Sequence, residues 1–173
     1  MAFSKWLAGA VGAASTLLVA SSALALSCMP ASIENSFQQW SDAPERYYVV
    51  SGSITPVAPL PPVPTVGAAS SGPVDTSNLR GVYRVQGEVI YAAQTVPIDH
   101  YIWVRVGCAG PWCGRFPTAG TSGVMALKQL PDQTLELFSG ACPGDVFPDN
   151  GGATKARVRQ CMTSGCTPQN PFQ

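Results

Sequence analysis

Apolar and polar residues alternate with a period of two over much of the chain. Val82–Tyr91 shows it most clearly: Tyr83, Val85, Gly87, Val89 and Tyr91 fall on one face, and Arg84, Gln86 and Glu88 on the other. That is the pattern of a strand with one buried and one wet face. Tyr47–Ile54 is a β-prone run of the same kind, and Tyr101–Gly107 directs Ile102, Val104 and Val106 one way. Gly123–Gln129 and Thr134–Ser139 read as a hairpin around Leu130-Pro131-Asp132-Gln133. Helical spacing is scarce. Residues 34–42 place Phe37 and Trp40 on one face of a short helix that Pro44 ends. Residues 155–159 alternate charged with small apolar side chains and fit either an edge strand or a short helix.

Five short strands, each with one buried face, fit a small barrel, which removes sheet edges by closing on itself. A two-sheet sandwich is the alternative, but it usually needs about seven strands. Residues 55–77 interrupt the pattern with Pro56, Pro59, Pro61, Pro62, Pro64 and Pro73. Proline removes backbone donors, so this stretch reads as an extended loop inserted in the domain, a spacer rather than a ligand for a proline-recognising partner.

The amino-terminal residues carry a different signal. Lys5 precedes an uncharged stretch running to Ile33, whose apolar part ends before Ser21-Ser22-Ala23-Leu24-Ala25. Small residues at Ala23 and Ala25 suit a signal peptidase, and the stretch is too diluted by Gly and Ser for a membrane-spanning helix. Residues 1–25 thus read as a signal peptide and 26–173 as one domain, secreted or periplasmic and not inserted in the membrane once the signal is cut. A second cleavage after Ser27 would make Cys28 the amino terminus. A lipoprotein signal would want Leu at the position of Ala25.

Charge narrows the function. The full chain has 10 basic and 10 acidic residues, and loss of Lys5 leaves the mature chain one negative charge in excess. That balance gives no basic surface for nucleic acid or anionic membrane. The six cysteines, Cys28, Cys108, Cys113, Cys142, Cys161 and Cys166, all follow the signal. An even count in an exported chain indicates three disulfides, with 15 pairings open. Zinc is disfavoured, because the chain has a single histidine and the close pairs are separated by four residues.

No nucleophile-elbow, zinc-protease, phosphate-loop or C-x-x-C motif occurs. Asp99-His100, just after Pro97, reads as a turn between strands rather than a catalytic pair. The carboxylates are scattered, so no general acid–base pair stands out and no cofactor is implied. Tyr47, Tyr48, Tyr83, Tyr91, Tyr101 and Trp103 could form a stacking platform, but without a basic groove they read as core and cross-strand packing.

The cysteine neighbourhoods are more specific in order and spacing. Leu26-Ser27-Cys28-Met29-Pro30 opens the mature chain, and the strand Tyr47–Ile54 follows. Then come Cys113-Gly114-Arg115-Phe116, the apolar run Val124–Leu127, an acidic turn, and Leu135-Glu136-Leu137 leading to Cys142. Over about residues 26–148 this resembles the netrin-like module, in particular the amino-terminal domain of tissue inhibitors of metalloproteinases and shorter bacterial relatives. The resemblance implies a five-stranded oligonucleotide/oligosaccharide-binding (OB)-type barrel. It also implies that Cys28 pairs with Cys142, leaving Cys108–Cys113 and Cys161–Cys166. The chain departs from the family at Leu26, where the inhibitors carry the cysteine whose amine and carbonyl chelate the protease zinc.

The reading is therefore a mostly β, disulfide-stapled OB-type barrel with one or two short helices, acting as a monomeric, non-enzymatic binding module for a protein partner. The alternative is an inhibitor of an extracellular metalloprotease acting through Cys28, Met29 and Pro30. A further alternative is a thiol–disulfide redox protein using Cys108–Cys113, although that pair lacks the usual two-residue spacing. The exported protein should be shorter than the full chain by residues 1–25, or 1–27 for the second site. Intact-mass measurement of secreted material decides this, and a product that keeps Met1–Ala25 contradicts the signal.

Overall fold

The structure is a computed structural model that describes Cys28 and residues 31–64, 76–142 and 144–167. The signal segment, Met29, Pro30 and residues 65–75 of the proline-rich loop lie outside the described residues.

Helix α1 (Ile33–Asp42) starts where the Ser32 hydroxyl accepts the Asn35 N–H at 3.1 Å, an N-cap that occupies one orphan donor. The strands follow as β1 (Tyr47–Pro56), β2 (Arg80–Ile90), β3 (Thr95–Val106), β4 (Cys108–Ala109), β5 (Trp112–Cys113), β6 (Thr121–Gln129), β7 (Leu135–Ser139) and β8 (Val146–Phe147). Helix α2 (Ala153–Ser164) closes the described chain. The stretch 155–159, ambiguous from its pattern, is therefore helical.

Five strands close a barrel. β1 pairs antiparallel with both β2 and β6, β2 pairs with β3, β3 runs parallel to β7, and β7 pairs antiparallel with β6. This is the OB-type arrangement. The barrel interior is filled by alternate residues, among them Val50, Ile54, Tyr83, Val85, Val104 and Leu127, each fully buried. The Tyr83 hydroxyl donates to the Pro117 carbonyl at 2.8 Å, so the one polar atom of this core ring is paired. A second apolar cluster lies outside the barrel. Val49, Ile90 and Val124 meet Ile33 of α1 and Val158 of α2, with Phe37 and Trp40 packed against them. Both helices are thus held on one outer face of the sheet, and the Arg157–Glu34 ion pair (2.6 Å) ties them together.

Three expectations need correction. Asp99-His100 is not a turn. β3 begins at Thr95, so Pro97, Asp99 and His100 lie within it, opposite Glu88, Gln86 and Val85 of β2. Before Trp103 this strand pairs only with β2. Proline is tolerated because a sheet edge does not need its missing N–H. The turn lies at residues 91–94, where the Tyr91 N–H donates to the Gln94 carbonyl, which leaves Tyr91 exposed rather than on the buried face. The proline-rich loop also starts later than its composition indicated: Thr55 and Pro56 still pair with Arg84 and Tyr83.

Three disulfides staple the fold: Cys28–Cys142 with a sequence separation of 114, and Cys108–Cys113 and Cys161–Cys166 with separations of 5. In the chain-entropy description a closed loop of over 100 residues stabilises by about 4–5 kcal/mol, well above a short loop. Cys28→Ser should therefore lower the urea unfolding midpoint more than Cys108→Ser. Equal losses would show that the long loop is not what the first bond constrains.

Candidate functional site

The cysteine pairing brings one part of the sequence-derived site to a definite place. Cys28 and Cys142 have Cα atoms 5.5 Å apart, so the start of the described chain is fastened to the segment after β7. Gly144 packs so closely on Ala31 that a Cβ there would lie 2.6 Å from the Ala31 methyl. The β4–β5 ribbon with Cys108–Cys113 docks on the same segment. The Gly107 N–H donates to the Ser139 carbonyl at 2.8 Å, and a Cβ on Gly114 would strike the carbonyls of Ser139 and Gly140. Two of the three disulfides thus meet at the end of β7. The third, Cys161–Cys166, lies at the carboxyl end of α2.

Beside this junction runs a groove of about 580 Å³ between α1 and the outer faces of β3, β6 and β7, a size usual for ligand sites of about 300–1,000 Å³. Trp40, Tyr47, Lys128, Glu136, Phe138 and Asp145 are among the residues that line it. Glu136 is 4% exposed, although it lies on the outer face of β7. Arg80 Nη2 and Arg105 Nε donate to its two oxygens at 2.9 and 3.0 Å. A buried carboxylate needs such partners, because desolvation otherwise outweighs its attractions. The guanidiniums in turn cover rings: Arg80 lies 4.9 Å from the Trp103 centroid and Arg105 4.6 Å from that of Phe138. Lys128 pairs with Glu45 at 2.6 Å.

Asp145 differs from every other acid in the groove. It is half-buried, its Oδ2 accepts the Gly140 N–H at 2.9 Å, and among the described residues no cation pairs with it. Burial pushes its carboxyl up to about 6, against the lowering effect of the Gly140 N–H and the Ser139 hydroxyl. A smaller apolar hollow of about 210 Å³ lies between α1, α2 and the strands, lined by Phe37, Trp40, Tyr48 and Met162 among others.

The remaining candidates do not converge. His100 is exposed on β3. Its neighbour Asp99 gives both oxygens to Arg84, at 2.6 Å each, which holds the Asp99 carboxyl below its ordinary range. Of the six aromatics weighed as a platform, Tyr83 is in the core, Tyr101 is 62% exposed and Tyr47 lines the groove. The Cys108–Cys113 bond spans a two-strand ribbon, not a helix amino terminus. Among the described residues no three metal-binding side chains gather, and no helix is long and apolar enough to cross a membrane. Sequence reading passed over Trp40, Arg105, Glu136, Phe138 and Asp145 as site residues. The alternation of Leu135-Glu136-Leu137-Phe138 does mark Glu136 and Phe138 as outward-facing, but nothing local shows what they meet. Set against known proteins, the chain matches no family model, no curated protein and no solved structure.

The raised Asp145 carboxyl has a stability consequence with a definite sign. From pH near 4 to above 6 the unfolded chain loses this proton before the folded one does, so this group's contribution to stability falls as pH rises. Acids held low by cations, such as Asp99 beside Arg84 and Glu45 beside Lys128, contribute the opposite slope. Asp145→Asn should therefore gain stability relative to wild type as pH rises through this window, by about 1–2 kcal/mol after allowance for solvent screening. Urea midpoints of both proteins between pH 4 and 7.5 measure it; a constant difference would show that folding does not raise the Asp145 carboxyl.

Proposed function

We propose that the chain works outside the cytoplasm as a non-enzymatic binding module of the OB/netrin-like kind, engaging a protein partner at the groove beside the Cys28–Cys142 junction. The observation that carries this reading is the junction itself. A disulfide, a docked ribbon and the Gly144–Ala31 contact fix the wall of a groove lined with aromatic rings and charged groups. Such preorganisation lowers the ordering entropy that a partner's binding must overcome. Three disulfides suit an oxidising compartment, which agrees with the signal-like amino terminus. The exposed His100, beside an Asp99 committed to Arg84, supports binding over hydrolysis, since a base needs an orienting group and a nucleophile within reach.

Inhibition of a metalloprotease is the second reading. The tether of Cys28 to Cys142 favours it, because it fixes Cys28 to the segment after β7. Leu26 weighs against it: without a cysteine there, no second disulfide is available to fix the terminus that would meet zinc, and ordering a terminus on binding costs affinity.

A photo-crosslinking residue at Phe138, compared with one at the exposed turn residue Ala92, tests the groove in producing cells. One discrete adduct at Phe138 and none at Ala92 is expected, and equal labelling at both positions contradicts a groove-directed partner. Titration of zinc endopeptidases with material of sequenced amino terminus should show weak or no inhibition. Sub-micromolar inhibition that an added amino-terminal residue abolishes would establish the second reading instead.

A further inference from the structure

Among the described residues, the first half of β3 has a neighbouring strand on one side only. Its register with β2 fixes which way each backbone group turns. The Tyr91 N–H donates to the Gln94 carbonyl at one end of the β2–β3 ladder, and the Val106 N–H to the Leu79 carbonyl at the other. Hydrogen-bonded and non-hydrogen-bonded pairs alternate along an antiparallel ladder, and the register between these ends is unbroken. Val96, Ile98, His100 and Ile102 therefore direct their N–H and C=O to β2, and Thr95, Pro97, Asp99 and Tyr101 direct theirs away from it. From Trp103 onward the groups that turn away meet β7: Trp103 pairs with Glu136, and the Gly107 N–H donates to the Ser139 carbonyl. Before Trp103 no described strand lies there.

This edge is exposed and close to neutral. Val96 is 42% and Tyr101 62% exposed. The one carboxylate of the segment, Asp99, accepts from Arg84 Nε and Nη2 of its own chain. The edge offers donors at Thr95, Asp99 and Tyr101 and acceptors at all of its outward-turned positions; Pro97 has no N–H. Prolines and uncompensated charges are what keep an exposed edge from pairing. Here Pro97 removes a single donor, and the charge is met within the chain.

We propose that this edge pairs with the same edge of a second copy of the chain, antiparallel about a two-fold axis at Ile98. With the axis there, Thr95 exchanges both bonds with Tyr101 of the second copy, and the Asp99 N–H donates to the Pro97 carbonyl opposite. All three donors of each copy are used, which makes six bonds, and only the Asp99 carbonyl is left to water. An axis at Pro97 sets the two prolines opposite each other, and axes at Asp99 or His100 place Thr95 or Pro97 opposite Trp103, which β7 already holds. Each of these leaves four bonds, and the Asp99 axis also sets two carboxylates side by side. At the Ile98 axis, Ile98 meets Ile98 and Tyr101 lies opposite Thr95, aromatic and β-branched pairs that favour strand pairing. A second copy is the occupant because the edge is complementary to itself in this one register. Seven residues a side is well below the about 20–30 of a standard interface, so the dimer is weak and forms at about 0.1–1 mM. It replaces the monomer expected from the sequence. None of Thr95–Tyr101 lines the groove, so the pairing leaves the surface assigned to the protein partner unused.

The test uses the disulfide-intact mature protein. Sedimentation equilibrium between about 0.01 and 1 mM should show a monomer–dimer equilibrium. Over the same range the ¹⁵N–¹H signals of Thr95, Asp99 and Tyr101 should move more than those of Val96, Ile98 and His100, whose N–H groups already face β2. Tyr101→Pro takes no bond from the barrel and removes two of the six between copies, so it should weaken the dimer about tenfold or more. Ile98→Cys places two sulfurs at the axis, where the Cα atoms of a non-hydrogen-bonded pair stand about 4.5 Å apart, within disulfide reach. It should cross-link two copies on oxidation, and His100→Cys and the exposed turn variant Ala92→Cys should not. A protein still monomeric at about 1 mM overturns the proposal. So does a dimer that leaves the three edge amides unmoved or that Tyr101→Pro does not weaken, since it lies on another surface. Cross-linking through His100→Cys in preference to Ile98→Cys, or equally at all three positions, overturns the two-fold axis at Ile98.

Discussion

Everything in this fold depends on β1 being paired along both edges. Gly87, Gly52 and Gly123 lie in register across β2, β1 and β6. A Cβ on Gly52 would collide with the Gln86 carbonyl, and one on Gly87 with that of Ser51. Only glycine allows the backbones to approach so closely, and that approach lets β1 serve two neighbours while the sheet curls shut. Closure makes an inside and an outside. Val50 and Ile54 go in, and Val49 is left on the outer face, where α1 and α2 must cover it with Ile90 and Val124. The position of α1, and with it one wall of the groove, follows from a closure made possible by absent side chains.

The opposite side of the groove is organised by charge. Glu136 on β7 draws Arg80 from β2 and Arg105 from β3, so one carboxylate spans three strands. The parallel β3–β7 pairing, the only parallel contact of the barrel, lies beneath this cluster. Burying an acid there is justified only because both guanidiniums reach it, and removing one would leave the other interactions strained by an undercompensated charge. The rings of Trp103 and Phe138 beneath those guanidiniums keep them from swinging into solvent.

The architecture was legible because its signals are local. Period-two alternation located β2 and the second half of β3, a β-prone run located β1, a hairpin pattern located β6 and β7, and a helical spacing of Phe37 and Trp40 located α1. Asp99-His100 misled because turn chemistry was inferred from Pro97, whereas a strand edge tolerates proline; which strand segment is an edge is decided by the closed topology, not by its own residues. The site was legible only at its cysteines. Cys28 stands far from Cys142 in sequence, and the pairing came from resemblance rather than from spacing. Arg80, Arg105 and Glu136 come together through two different strand pairings. Asp145 carries no sequence mark, since its distinction is the burial around it and the missing cation.

These separate constraints converge on rigidity. The groove is lined from three parts of the fold, each held by a different force: α1 by apolar packing, β7 by the arginine–glutamate cluster, and Gly140, Ala141 and Cys142 by the Cys28–Cys142 bond with the docked ribbon. Loss of one need not loosen the others, because no residue serves in all three. A mobile surface would spend part of its contact energy on ordering itself, a cost that such bracing reduces. Catalysis makes a different demand, a titratable group beside a reacting atom, and the one histidine stands exposed on β3, next to an Asp99 whose carboxylate is taken by Arg84. The groove gathers rings, paired charges and one carboxylate, Asp145, with which no cation pairs among the described residues.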